Sequence, residues 1–301
     1  MASGYQRDPS LPRWWPGPGA GGTWKAEPAD FVVEERPSAC LHGKGVRWYL
    51  LRRAGRDTVD VARDLAREAR VPPECVSWAG LKDREALVTQ RFTVEGGRAV
   101  SRLVGAELLD RGTTRYMLRP GDLEGNTFVL RIRGGSPVVA TRRLATMIRV
   151  PNRFGPQRVS HGAPEAGRRI LLGRERRVDP VRSRFALSAW QARLFNRVLD
   201  HRGAAALEGD LVENGIVTGP LFGARMRWPR AAALALEEGI LREEGLPEGA
   251  LDRVAHVVPG SRRPLWITLD DAKIEHAEDG FVVRVSLPPG SYATAVLQEL
   301  L

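Results

Sequence analysis

The chain has 301 residues, of which 43% are hydrophobic, and this size favours two domains or one large domain with an insertion. Its apolar runs fall short of the ~20 residues that cross a membrane, and the N-terminus lacks the apolar core of a secretory signal, so the cytoplasm is the expected compartment. Two cysteines and five scattered histidines argue against a disulfide framework and against a metal centre.

The charge of the chain is strongly positive, with a formal net charge of +10 and a sequence pI of about 10.5. Such a charge favours a polyanionic partner, because each phosphate that a basic side chain neutralises releases counterions. Only four of the 46 basic residues are lysine, and arginine adds forked hydrogen bonds to phosphate and stacking on bases. A GC-rich genome produces the same arginine excess, so charge alone leaves nucleic-acid binding open.

The first 150 residues mix predicted strands and helices after a Pro/Gly-rich segment, residues 1–22, that we expect to be a flexible arm. Alternating or β-branched runs predict strands at Phe31–Glu35, Val46–Leu51, Val76–Ala79, Arg91–Val94 and Phe128–Arg133. Apolar residues at helical spacing predict helices over about residues 58–70, after a cap at Asp57, and over residues 138–149. The mixture shows no regular βαβ repeat, which favours an α+β sheet domain.

The pattern changes after about residue 163 and becomes mainly helical. Gly167–Asp179 is predicted to be a basic loop, and Ser188 to cap a helix. Another helix is predicted over residues 231–244, closed by Gly245. Strand and helix signals return at Phe281–Leu287 and Tyr292–Leu300. The simplest architecture is a sheet domain built from both ends of the chain, with a smaller unit inserted between them.

Trp78–Gln90 is the first segment with candidate chemistry. A predicted strand ends at Gly80, and the turn that follows presents Asp83 between Lys82 and Arg84. Cationic neighbours keep a carboxylate ionised, as a nucleophile requires. The alternative is an ordinary solvated turn with a Lys–Asp pair, because isolated motifs often mislead.

Two further segments carry candidate binding residues. Phe154 lies beside a glycine, between Asn152 and Arg158, in a loop that suits stacking on an unstacked base and binding of anions. The alternative is a core phenylalanine that anchors a turn. Lys25 precedes the first strand and is expected to meet a phosphate or an active-site carboxylate, unless it is a plain surface lysine.

Seven short motifs, in order along nearly the whole chain, resemble those of the TruD family of tRNA pseudouridine synthases. The motifs are Asp30–Glu35, Leu41–Gly45, Ala79–Asp83 with Thr89–Gln90, Asn152–Arg158, Leu187–Ala189 with Leu194–Asn196, Gly219–Gly223 and Gly290–Thr294. Each match is weak alone, but the order is hard to obtain by chance. The chain departs from the family pattern at Val159–Ser160 and Trp190–Arg193 and is short for the family, which bears on substrate choice more than on chemistry.

The resemblance implies an α+β fold: a pseudouridine synthase domain with a mixed, largely antiparallel sheet flanked by helices, and a smaller α/β TruD-specific insertion domain. On this reading residues 1–22 are the arm, residues 23–175 and 256–301 form the catalytic domain, and residues 176–255 form the insertion.

The activity implied by the resemblance is the isomerisation of uridine to pseudouridine in tRNA, usually at uridine 13. No cofactor and no metal are expected, and a monomer is expected. Asp83 is the implied catalytic residue, acting as nucleophile or by taking a sugar proton to form a glycal; the residues leave both routes open. The implied substrate-binding residues are Phe154 as the stacking ring, Asn152 to orient base or loop, Lys25 as a cation near Asp83 or a phosphate, Gln90, which also supports the turn, and Arg158.

Two other functions stay open. One is a TruD-like RNA-binding protein or RNA chaperone without catalysis, since a fold alone does not fix function. The other is a metal-dependent nuclease, which needs carboxylates that converge on magnesium and which the ordered motifs do not favour. Its candidate carboxylates are Asp30, Glu34, Glu35 and Asp83.

Overall fold

The computed structural model describes residues 5–9, 11, 13–37, 43–159, 162–175, 179–269 and 271–301. Several residues of the sequence analysis lie outside the described ranges, namely Cys40, Leu41, His42, Ser160 and His161. Among the described residues, none belongs to a helix long and apolar enough to cross a membrane.

The strands are Thr23–Trp24 (β1), Phe31–Pro37 (β2), Val46–Arg53 (β3), Val76–Ser77 (β4), Leu87–Glu95 (β5), Glu107–Thr114 (β6), Leu123–Arg133 (β7), Arg149–Pro151 (β8), Val212–Glu213 (β9), Ile216–Leu221 (β10), Ser261–Pro264 (β11), Trp266–Thr268 (β12), Lys273–Ala277 (β13) and Gly280–Leu287 (β14). The helices are Thr58–Ala69 (α1), Pro137–Thr146 (α2), Pro156–Val159 (α3), Ala163–Leu171 (α4), Pro180–Arg202 (α5), Ala231–Arg242 (α6) and Ala293–Leu300 (α7).

One large sheet dominates the fold, with its strands in the order β13–β14–β7–β2–β5–β3–β6. The short strands β1 and β4 pair with β7 and β5. β2 and β5 run parallel, and every other described pair of neighbours in this sheet is antiparallel. The largely antiparallel α+β sheet expected from the sequence is therefore confirmed. Within it, β14 from the C-terminal part of the chain pairs with β7 along its whole length.

Two apolar clusters hold helices against this sheet. In the first, α2 and α7 pack on β7, β2 and β14 through side chains such as Leu130 and Phe281. In the second, α1 packs on β3 and β5 through side chains such as Leu65 and Phe92. The alternating apolar positions that predicted these strands are the ones that reach the clusters, since successive strand residues point to opposite faces.

The helical middle of the chain differs from its prediction at two places. A loop over Gly167–Asp179 was expected, but α4 extends to Leu171. A Cβ atom on Gly167 would lie 2.3 Å from the carbonyl oxygen of Ala186, so the glycine allows α4 to pack closely on α5. The prediction of Ser188 as a helix cap is wrong, because Ser188 lies inside α5 and its hydroxyl donates to the Phe185 carbonyl.

A third apolar cluster unites α4, α5 and α6 and extends from Leu171 to Val258. It thus reaches past both bounds of the insertion expected at residues 176–255. A small sheet in the order β11–β10–β9 lies beside these helices, since α5 contacts β10. The unit therefore contains strands as well as helices.

Candidate active site

The parallel pairing of β2 with β5 determines where Lys25 and Asp83 meet. Lys25 precedes β2 and Asp83 precedes β5, and the starts of parallel neighbours lie at the same edge of a sheet. The Lys25 Nζ lies 2.5 Å from Asp83 Oδ2, and its side chain is only 6% exposed against 20% for Asp83. The ammonium group also lies 3.2 Å from Glu85 Oε2. Lys25 is thus the cation that stabilises the charged form of Asp83.

The two cations next to Asp83 in the sequence have other partners. Lys82 is buried, with its Nζ 2.8 Å from Glu35 Oε2. The guanidinium of Arg84 points to the carbonyl oxygen of Gly55, at 3.2 Å. The expectation that Lys82 and Arg84 flank the carboxylate in space is therefore corrected, and the charge comes from a residue 58 positions away.

A buried polar network supports the turn that carries Asp83. Gln90 is fully buried on β5 and donates to the Gly80 carbonyl at 2.6 Å. Thr58 accepts from the backbone N–H of Lys82 at 3.0 Å and from Arg53 at 2.6 Å. Burial lowers the pKa of Arg53 to about 10. Gln90 thus supports the turn, and it lies outside the lining of the cavity beside the Lys25–Asp83 pair.

A cavity of about 500 Å³ lies beside the Lys25–Asp83 pair, and most of its lining is apolar. Phe154 also lines it, so the structure brings three of the six predicted site residues to one cavity. The lining also includes Tyr5, Gln6, Phe31, Leu81, Lys82, Asn196, Tyr292 and Gln298.

Phe154 belongs to an aromatic wall of this cavity. Its ring centroid lies 5.5 Å from that of Phe195, edge to face, and 5.8 Å from that of Tyr292. The guanidinium of Arg263 lies over the Phe154 ring at 4.2 Å from the centroid. Asn196 accepts from the Phe154 N–H at 2.9 Å and donates to its carbonyl at 3.0 Å, which fixes the backbone. Sequence reasoning missed Arg263, because one arginine has no distinguishing signal among 42.

Asn152 and Arg158 take positions behind this wall and do not line the cavity. The buried Asn152 accepts from Arg263 at 2.6 Å and donates to the Pro264 carbonyl at 3.0 Å. It therefore orients the arginine that lies on the Phe154 ring, and burial lowers the pKa of that arginine to about 10. Arg158 donates to the hydroxyl of Ser188 on α5 at 2.8 Å.

The N-terminal segment, expected to be a flexible arm, packs on the body in its described residues. Tyr5 and Trp24 exchange backbone hydrogen bonds of 2.8 and 3.0 Å. The Tyr5 hydroxyl donates to Glu85 at 3.2 Å, and its ring lies 5.5 Å from the Lys25 Nζ. Burial and the Glu85 carboxylate raise the pKa of Tyr5. Gln298 on α7 donates to the backbone of the segment, so this part of the chain forms one wall of the cavity.

The chemistry available at this cavity combines a paired carboxylate with a stacking surface. A planar base can stack on an aromatic face, and a carboxylate on the same cavity can attack or take a proton. The described residues contain no group of three or more His, Cys, Asp or Glu side chains placed to hold a metal ion. The carboxylates proposed for a nuclease are instead engaged apart from each other, with Asp30 on Arg133 and Glu35 on Lys82.

Comparison with known proteins gives consistent matches. The family model for tRNA pseudouridine synthase D (TruD) matches residues 13–167 and 211–300. A tRNA pseudouridine synthase D from Anaeromyxobacter sp. strain Fw109-5 is 34% identical, with 94% of this chain and 93% of the relative covered. A protein of that name from Thermus thermophilus is 33% identical, over 94% and 90% of the two chains. A solved TruD structure from Methanosarcina mazei has a TM-score of 0.70 at 21% identity, covering 96% and 95%.

Proposed function

The chain belongs to the tRNA pseudouridine synthase D family, and from this membership we propose that it isomerises a uridine of tRNA to pseudouridine, at uridine 13, with Asp83 as the nucleophile. The observation that carries the proposal is the Lys25–Asp83 pair on the same cavity as Phe154. A reactive carboxylate and a stacking ring are the two groups that this isomerisation needs from the protein.

Binding begins with the RNA backbone and the target base. Basic side chains attract the phosphates, and the uridine leaves its stack at a cost of a few kcal/mol. Stacking on an aromatic side chain returns about 1–3 kcal/mol. Phe154 offers that surface, and Arg263 on the ring, held by Asn152, keeps the ring in place.

The reaction detaches uracil from its ribose, turns the ring and rejoins it through carbon 5. The glycosidic C–N bond breaks and a C–C bond forms, and the proton of carbon 5 is lost while a ring nitrogen regains one. The net composition is unchanged, so the balance requires no oxidant, reductant or cofactor. Asp83 attacks the sugar or takes a sugar proton to form a glycal, and the proposal covers both routes.

Lys25 has a defined part in this scheme. Its ammonium, buried and within 3.2 Å of both Asp83 and Glu85, attracts the Asp83 carboxylate and holds it in place at the cavity. Tyr5 and Phe31 surround the same ammonium with aromatic rings, at 5.5 and 5.1 Å from their centroids. Burial of the ammonium beside these rings lowers the local dielectric, which strengthens its attraction to Asp83.

Pseudouridine mapping of transcribed tRNAs, incubated with each protein in the presence of a chelator, tests the proposal. Wild type should introduce one pseudouridine at position 13, and Asp83→Asn should introduce none while still binding tRNA. Asp60→Asn is the matched control, because Asp60 is an exposed aspartate on α1. Full activity of Asp83→Asn would overturn the assignment of the nucleophile. Wild type that binds tRNA but forms no pseudouridine would favour the RNA-binding alternative.

A further inference from the structure

Leu81 is a large apolar side chain in an unusual place. It is 71% exposed, it lines the cavity, and it lies two residues before Asp83. The neighbouring alanines of the same turn, Ala79 and Ala86, are buried. Single exposed apolar residues are common on protein surfaces, so exposure alone carries no argument. The position beside the reactive carboxylate is what requires an explanation.

The backbone on either side of Leu81 is fixed by buried partners. The carbonyl of Gly80 accepts from Gln90 at 2.6 Å, and the N–H of Lys82 donates to Thr58 at 3.0 Å. The Lys82 side chain points into the protein, to Glu35 at 2.8 Å. Leu81 is therefore presented outward by a turn that is held on both sides of it, and the turn cannot easily rotate the side chain back into the core.

The other exposed large hydrophobic side chain among the described lining residues of this cavity has protein partners of its own. Among the exposed large hydrophobic residues in the described part of the chain, only Tyr5 and Leu81 line the cavity. Tyr5 stacks on Trp24 and donates to Glu85, so it is part of the wall. Leu81 offers only hydrocarbon, which suits contact with the face of a base.

We propose that Leu81 enters the gap that the target uridine leaves in the RNA stack, and so holds the uridine in its extruded position. The inference rests on the proposed function and adds a positioning residue to it. Proteins that open a base stack commonly insert an apolar side chain at the gap. Residues two apart are separated by at most about 7 Å, so Leu81 lies close to the sugar that Asp83 must reach.

The test compares two substrates with three variants in single-turnover reactions. One substrate is the intact tRNA transcript, and the other is the same transcript with abasic residues on both sides of the target uridine, where no stack has to be filled. Leu81→Ser removes the apolar side chain, and Leu81→Met keeps one. Val104→Ser is the matched control, because Val104 is 78% exposed and lies outside the cavity lining.

Leu81→Ser is expected to be at least tenfold slower than wild type on the intact transcript and within threefold on the abasic one. Leu81→Met and Val104→Ser should stay within threefold on both. An equal loss on both substrates, or no loss with Leu81→Ser, would overturn the proposal. If Leu81 served only the stability of the protein, Leu81→Ser would slow the reaction on both substrates alike. Near-normal activity of Leu81→Ser on the abasic transcript therefore separates a positioning role from a role in stability.

A second readout keeps this inference distinct from the proposed function. A 2-aminopurine placed next to the target uridine brightens when its stacking partner leaves, and binding of wild type should raise its fluorescence severalfold. Leu81→Ser should give less than half of that rise. If wild type forms no pseudouridine but gives the rise, and Leu81→Ser gives less than half of it, the proposed function fails and the inference about Leu81 stands. If wild type forms pseudouridine and Leu81→Ser gives the full rise, only the inference about Leu81 fails.

Discussion

The turn that carries Asp83 and the loop that carries Phe154 reach the same cavity by different physical means. Beneath the turn lie buried hydrogen bonds among Gln90, Thr58 and Arg53. Around Phe154 the contacts are mainly ring against ring. A buried polar network loses much when one member is removed, because its partners stay unsatisfied, whereas an aromatic cluster loses area in proportion to the atoms removed.

This difference separates the expected effects of substitution. Changes at the Asp83 turn, its Lys25 partner and its buried network, together the charged side, should act on the chemical step or on folding. Changes around Phe154, the aromatic side, should act on substrate binding. The expected free-energy effects fall in the order Lys25→Gln, Gln90→Ala, Phe154→Ala and Asp30→Asn.

Lys25→Gln should have the largest effect. Removing one group that stabilises charge in a closed site costs about 3–4 kcal/mol in the barrier, so kcat should fall by about 100- to 1000-fold with little change in KM. Steady-state kinetics on tRNA measure it. Lys273→Gln, on the exposed edge strand β13, is the control and should behave as wild type. A rise in KM with unchanged kcat would break the division between the two sides.

Gln90→Ala should lower the free energy of unfolding by about 2–3 kcal/mol, because the Gly80 carbonyl loses its Gln90 partner and the buried Arg53 guanidinium loses one of its two. Urea unfolding monitored by circular dichroism measures it. Gln6→Ala, at an exposed position, should change stability by less than about 0.5 kcal/mol. Equal stabilities of the two variants would show that the turn does not depend on its network.

Phe154→Ala should raise KM for tRNA by about tenfold, which corresponds to about 1.4 kcal/mol of lost stacking, with a smaller change in kcat. Phe185→Ala is the matched control, since Phe185 is exposed and lies outside the cavity lining. Phe154→Tyr should recover most of the affinity, because the stacking face remains. A fall in kcat with unchanged KM in Phe154→Ala would show that this ring acts on the chemical step, as expected for the charged side.

Asp30→Asn should have the smallest effect, visible as a pH dependence. Burial raises the pKa of Asp30, but hydrogen bonds from Arg133 and the Glu27 backbone outweigh it, so the pKa lies below its ordinary 3.8. The carboxylate therefore stabilises the fold above about pH 4, and this contribution is lost as the pH falls through the folded-state pKa. Urea unfolding of wild type and variant between pH 2 and 7 should show a difference that shrinks below pH 4. A constant difference would contradict it.

Periodicity and motif order predicted the sheet, because alternating apolar residues report directly on a buried face. The two walls of the cavity differ in how far the sequence revealed them. Asp83 and Phe154 carry motif signals, whereas Thr58 has the signal of an ordinary helix start. Its role depends on β4, β5 and α1 meeting in space, and no local pattern contains that information.

The segment at Gly167 shows a second limit of prediction from the sequence. A glycine among arginines reads as a loop, since glycine lowers helix propensity by about 1 kcal/mol relative to alanine. In α4 the same glycine permits the close approach to α5, and packing outweighs propensity. The tertiary gain can be recognised only when the partner helix is known.

The pairing of β14 with β7 has a consequence for synthesis on the ribosome. Residues 123–133 emerge well before residues 280–287, so β7 leaves the exit tunnel with one edge uncovered. Domains fold from the N-terminus at the pace of translation, and an open strand edge invites pairing with other chains. The nascent chain therefore passes through an interval in which that edge of β7 is open to pairing with other chains, and the interval ends when β14 pairs with it.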